Sequence, residues 1–209
     1  MKQAALGLRM HSGWGVLVAI FGVPPEFQIA YRARIEVCDA IGPRGNQPYH
    51  HAAQLGLPAA EIFLEDYSAD AERLASAEIS AAIDQLRSRD LRVTAVGILL
   101  ASGRALPQLP EVLASHPLIH TAEGELFRNA ARKACEGLGL RCEGVRERDL
   151  DECAASIWGR AAPAIQKQIA DLGKTLGPPW TQDQKTAALA AAMALTKGSA
   201  KFGSANTAS

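Results

Sequence analysis

Strict alternation is the clearest signal in the chain. Between Gln28 and Asp39, Ile29, Tyr31, Ala33, Ile35 and Val37 interleave with Gln28, Ala30, Arg32, Arg34 and Glu36. That is the pattern of a strand with one face half exposed to water. Two short apolar runs precede it, Gln3–Met10 and Gly15–Gly22, and the four residues His11-Ser12-Gly13-Trp14 between them suit a tight hairpin connection. From Pro58 to about Arg89 the period becomes helical. A break is expected near Tyr67, where Ser68 followed by Asp70 and Glu72 reads as a new helix N-terminus, and Ile79, Ile83 and Leu86 mark the buried stripe beyond it.

Arg92–Ala101 is a continuous β-rich apolar run, as expected of a central parallel strand that Ser102-Gly103-Arg104 then ends. Phe127, Ala130, Ala134 and Leu138 share one face of a helix expected over Thr121–Leu138, and a short strand is expected at about Arg141–Arg146. Ile165, Ile169, Leu172 and Leu176 repeat at helical spacing until Gly177-Pro178-Pro179 stops the helix. Thr181-Gln182-Asp183-Gln184 fits a capping box and opens an Ala-rich helix to about Thr196. Residues 1–196 are thus expected to form a single α/β domain, and 197–209 a flexible C-terminal tail.

Composition narrows the function classes without choosing among them. Lys+Arg and Asp+Glu are both 22, so no global positive charge is available to hold a phosphate backbone, although a local patch is compatible with the sequence. Met1–Gly15 lacks the layout of a signal peptide, and the longest apolar run, Val16–Val23, is too short to span a bilayer. The four cysteines form no CxxC pair and read as reduced, mostly buried thiols of a cytoplasmic protein. There is no Walker A loop, no G-x-G-x-x-G, no G-x-S-x-G and no H-E-x-x-H.

The element order β-β-β-α-β-α-β-α, with an antiparallel three-strand start and two further parallel strands flanked by helices, resembles the ribonuclease H-like fold. Within it, the chain is similar to the bacterial Holliday-junction resolvases. Leu6-Gly7-Leu8-Arg9 followed by Gly13-Trp14-Gly15-Val16 resembles their first-strand pattern, and Gln182-Asp183-Gln184-Lys185 resembles the start of their closing helix. The resemblance implies phosphodiester cleavage by two magnesium ions held by carboxylates. It places Arg9 where the first acidic ligand would fall, finds no acid in Arg92–Arg104, and leaves Asp183 as the matching ligand. What it implies is therefore a ribonuclease H-like domain without the usual carboxylate metal centre, binding nucleic acid, a nucleotide or a protein partner.

If the first, fourth and fifth strands are parallel, their carboxyl ends share one sheet edge, where open α/β sheets place ligands. His11 and Ser12 are expected there with Ser102, Arg104, Arg146 and Glu147, joined from the helix starts by His120, Glu123, Asp183 and Lys185. The alternative function is a metal-dependent phosphodiesterase rebuilt on His11, His120, Glu123, Glu147 and Asp183, with Arg9, Ser12, Ser102, Arg104, Arg146 and Lys185 binding the ligand. The cofactor is not legible, and a divalent metal is compatible with the sequence.

Several of these residues carry a plainer reading beside the functional one. His116, His120 and Glu123 could ligate a transition metal; the weightier reading is that Thr121 caps a helix whose dipole Glu123 and Glu125 complement. Asp183 suits the second position of a capped helix without any function. Tyr49-His50-His51 could contact a ligand but more often such a loop is merely exposed, and Arg146-Glu147-Arg148-Asp149 reads equally as a solvated junction with internal ion pairs. Trp14 and Trp180 could stack on a base, yet packing roles are commoner. Oligomeric state is not legible.

Overall fold

The structure is a computed structural model describing residues 1–39, 45–101 and 105–205, with side chains described through 198. Along the chain come β1 (Lys2–Met10), β2 (Trp14–Phe21), β3 (Gln28–Glu36), α1 (Pro48–Ala52), α2 (Leu57–Arg87), β4 (Leu91–Leu100) and α3 (Leu109–Leu113). They are followed by α4 (His116–Gly137), β5 (Arg141–Arg146), α5 (Leu150–Trp158), α6 (Ala162–Asp171), α7 (Gly173–Leu176) and α8 (Gln182–Ala205). One five-stranded sheet runs in the order β3-β2-β1-β4-β5. β1 pairs antiparallel with β2, and β2 with β3, while β4 lies parallel to β1 and β5 parallel to β4.

Side-chain alternation sorts the two faces of this sheet. Leu6, Leu8 and Met10 of β1, with Val96 and Ile98 of β4, enter a core of large side chains beneath α2 and α4, built around Ile79, Leu86 and Phe127. Ala5 of β1, with Ala95 and Leu99 of β4, enters the other core, shared with α5, α6 and α8. There the packing is of a different kind. Gly7 and Gly97 are register partners in the β1–β4 ladder. A methyl group on Gly7 would overlap the carbonyl oxygen of Ala187, and one on Gly97 that of Ala190. The α8 backbone thus rests directly on the two central strands, which only glycine in the strands and alanine in the helix allow. That is why Ala187, Ala188, Ala190, Ala191, Ala192 and Ala194 are all buried.

Several expected boundaries move. α2 is one continuous helix through Tyr67 and Ser68: Tyr67 is buried, and Ser68 Oγ donates to the Leu64 carbonyl 2.7 Å away instead of capping a new helix. α4 starts at His116, not Thr121, because Pro117 suits the first turn, and Thr121 Oγ1 bonds back to the Pro117 carbonyl at 2.9 Å. Tyr49, His50 and His51, expected in a loop, stand on α1. The helix expected to run to Leu176 divides into α6 and α7, with the Trp180 ring packed on Gly173. One arm of the expected capping box is present: Gln184 Oε1 accepts from the Thr181 backbone N–H at 2.9 Å, and also from its hydroxyl at 2.6 Å. α8 then continues past Thr196 to Ala205.

Candidate functional site

Because β1, β4 and β5 run the same way, Met10, Leu100 and Arg146 end at one edge. The hairpin reverses direction, so Trp14 at the start of β2 and Glu36 at the end of β3 lie at that edge too. Arg9 falls on the face turned to α8, two residues beyond Gly7. Since Gly7 lets α8 sit on the sheet, Asp183 in its first turn meets the Arg9 side chain.

The result is a closed ion network. Arg9 Nη1 donates to Asp183 Oδ1 in a very short contact. Arg9 Nη2 donates to both oxygens of Glu147, at 3.1 and 3.0 Å, just beyond the end of β5. His11 Nε2 lies 2.9 Å from Asp183 Oδ2 and 3.2 Å from Arg9 Nη1, so this nitrogen either donates to the carboxylate or accepts from the guanidinium. All four oxygens of the two carboxylates are thereby engaged. The Arg9 and Asp183 side chains are each 21% exposed, which places the pair where Coulomb attraction is less screened than at an open surface. Arg9 Nε is buried without an acceptor among the described residues.

Neighbouring groups hold this network in place. His11 stacks on Trp14, ring centroids 4.2 Å apart, and the Arg34 guanidinium lies 3.9 Å from the Trp14 centroid. The indole therefore already carries two partners. Arg32 donates to four successive carbonyls, those of Leu176, Gly177, Pro178 and Pro179, at 2.7–3.2 Å. Those bonds tie β3 to the segment leading into α8 and so help to locate Asp183. Arg32 carries no catalytic motif, and no feature of its sequence surroundings announces this role.

Other expected residues are placed as follows. Ser12 is half-buried in the β1–β2 connection, and Lys185 half-buried in the first turns of α8. Arg146 Nε donates to Asp149 at 2.5 Å and Arg148 pairs with the same carboxylate at 3.5 Å. Trp180 bonds the Ala170 carbonyl and belongs to the apolar core under α8. Ser102 and Arg104 lie outside the described residues.

His120 and Glu123 do not join Arg9, but form a second cluster on the α4 side of the sheet. Glu123, 2% exposed, accepts from His50 Nδ1 at 2.8 Å and from the His50 backbone N–H at 3.3 Å. Its other oxygen lies 3.8 Å from His120 Nδ1. Glu123 is also part of the reason, after burial, that the Tyr49 hydroxyl is pushed above its ordinary pKa. His116 completes this cluster.

The same architecture occurs in known proteins. One solved structure, T. thermophilus RuvC in complex with a Holliday junction substrate, superimposes with a TM-score of 0.54 over 96% of each chain at 9% identity. A second Thermus thermophilus RuvC structure gives a TM-score of 0.50, again over 96% of each chain, at 11% identity. The fold is ribonuclease H-like. No protein-family model and no curated protein matches the sequence. At such identity the ribonuclease H-like likeness covers the path of the chain and leaves the chemistry to be argued from the residues themselves. No helix among the described residues is long and apolar enough to cross a membrane.

Proposed function

We propose that this ribonuclease H-like domain binds nucleic acid without cutting it, because Arg9 serves as a built-in cation where a nuclease of this fold would hold divalent metal. The observation that carries the reading is the full engagement of Asp183 and Glu147 by Arg9 and His11. A guanidinium keeps its charge at any relevant pH and cannot ligate a metal. A metal ion entering here would have to displace a covalently tethered cation from both carboxylates, against the repulsion of that same cation. The donor set therefore does not suit a two-metal centre.

Binding is supported by the cations that frame this edge. Arg34, Arg146 and Arg148 have side chains 57, 43 and 65% exposed, and Lys185 is close to Asp183 in sequence. The similar protein was captured on a Holliday junction, which makes branched DNA the natural first probe. Salt ions compete with every cation that neutralises a phosphate, so three or four such cations give a slope of log K against log salt of roughly −3. The same proposal puts the chain in the cytoplasm, in keeping with its four free cysteines.

The test is fluorescence anisotropy with a labelled four-way junction and a matched duplex across a salt series, followed by incubation of the complexes with Mg2+ or Mn2+. Salt-sensitive binding with intact strands is the expected result. Metal-dependent strand scission that disappears in Asp183→Asn, or no binding even at low salt, would overturn the proposal.

A further inference from the structure

We infer that His50, His116 and His120 form a transition-metal site of the zinc class, oriented from behind by the buried carboxylate of Glu123. The site is distinct from the Arg9 network, sits on the α4 side of the sheet, and does not depend on the nucleic-acid reading.

Two elements far apart in sequence build it. His116 and His120 stand four residues apart in the first turns of α4 and so share one helix face. His50 comes from α1, which packs against α2 and α4. One ring nitrogen from each of the three lies within 4.8 Å of the other two, and the ring centroids are 4.5–5.2 Å apart. A tetrahedral zinc site with Zn–N bonds of about 2.0–2.1 Å needs its nitrogens about 3.3 Å apart. His116 and His120 are exposed, so their side chains have room to rotate towards that spacing.

Glu123 supplies the second, independent observation. Among the described residues it is the one charged side chain that is buried, at 2% exposure, and it lies one turn beyond His120. An ionised carboxylate only accepts hydrogen bonds, so the 2.8 Å contact requires His50 Nδ1 to carry the proton. The Nε2 lone pair of His50 is then the one left to ligate. A carboxylate holding the far nitrogen of a metal-binding imidazole is the arrangement that fixes its tautomer and raises its basicity. By contrast, the adjacent His51 packs its ring on Phe63, with centroids 4.7 Å apart.

Ligand chemistry chooses the metal class. Three neutral imidazoles suit Zn2+, Ni2+, Cu2+ or Co2+, whereas Mg2+ and Ca2+ require oxygen donors. Three protein ligands leave a fourth position for water or an exogenous donor. Once filled, the site would tie α1 to the start of α4, joining elements that the sequence separates by more than sixty residues.

The decisive experiment titrates untagged, metal-free protein with Zn2+ by calorimetry, and with Co2+ by visible absorption. One Zn2+ per chain, the intense d–d bands of a low-coordinate Co2+ site and no response to Mg2+ are expected. His116→Ala and His120→Ala should each weaken Zn2+ at least about tenfold, and Glu123→Gln by about 10–100-fold, while circular dichroism reports an intact fold. His51→Ala should bind as the unaltered chain does. Absence of Zn2+ binding, or binding unchanged in a folded His116→Ala/His120→Ala double variant, would overturn the inference.

Discussion

The two faces of the sheet solve the same packing problem differently, and the difference decides what each can present at the common strand edge. Beneath α2 and α4, large side chains such as Leu6, Leu8, Ile98 and Phe127 keep helix and sheet apart. Beneath α8, glycine meets alanine and the backbones touch. Close contact brings the first turn of α8 down to the end of β1, so Asp183 and Arg9 meet in a compact ion network. On the other face, α1 and the start of α4 bring a cluster of imidazoles to a buried carboxylate. Both regions pair acids with nitrogen donors, but on the α8 side the partner is a permanent cation and on the α4 side it is a set of metal-competent rings.

The largest expected effect would break this contrast at its base. Gly97→Val drives a branched side chain into the Ala190 carbonyl, a backbone atom that cannot rotate aside, and should cost more than about 3 kcal/mol or abolish folding. Leu8→Ala, on the other face, should cost about 3 kcal/mol through loss of a fully buried side chain and leave a folded protein. Urea unfolding of both variants checks the order; equal, mild losses would show that α8 is not seated on the strands as described.

A middle-sized effect sharpens the account of the edge. Arg9→Gln leaves Asp183 and Glu147 without their shared cation, and the expected loss is about 2 kcal/mol, larger at low salt than at high. Denaturant titrations at two ionic strengths measure it. A neutral outcome would mean that the network contributes little to holding α8 against β1.

Much of this arrangement was legible in the residue order, for identifiable reasons. The apolar runs Gln3–Met10 and Arg92–Ala101 already mark central strands, and the T-x-x-Q box already marks where α8 begins. Together they place Arg9 and Asp183 near one another once the strands are parallel. Local signals failed where a tertiary contact outweighed them. Ser68 and Thr121 resemble caps in isolation, but each hydroxyl folds back onto a carbonyl four residues earlier, and burial of Tyr67 carries α2 through the expected break. His50 could not be joined to Glu123 from the sequence, because their meeting depends on how α1 docks against α4, a contact with no periodicity to announce it. The same is true of Arg32 and its four carbonyls.

The smallest expected effect lies at the periphery of the α8 layer. Hydrogen bonds from Lys167 and then Lys174 lower the Asp171 carboxyl from 3.8 to about 2. A carboxyl depressed in the folded state stabilises it above its ordinary pKa, and that contribution fades as pH falls from about 4 towards 2. With its side chain 37% exposed, Asp171 contributes little, so Asp171→Asn should shift stability down slightly above about pH 4 and converge with the unaltered chain as pH falls towards about 2. An acid unfolding curve followed by circular dichroism would detect the shift.

Competition for the two edge carboxylates is the central question, and Mn2+ answers it through the electron paramagnetic resonance signal of the free ion. With Arg9 bound to Asp183 and Glu147, titration of the unaltered chain and of Asp183→Asn should give the same curve, with no occupancy assignable to that edge. A Mn2+ equivalent held by the unaltered chain and released by the Asp183→Asn change would contradict the account.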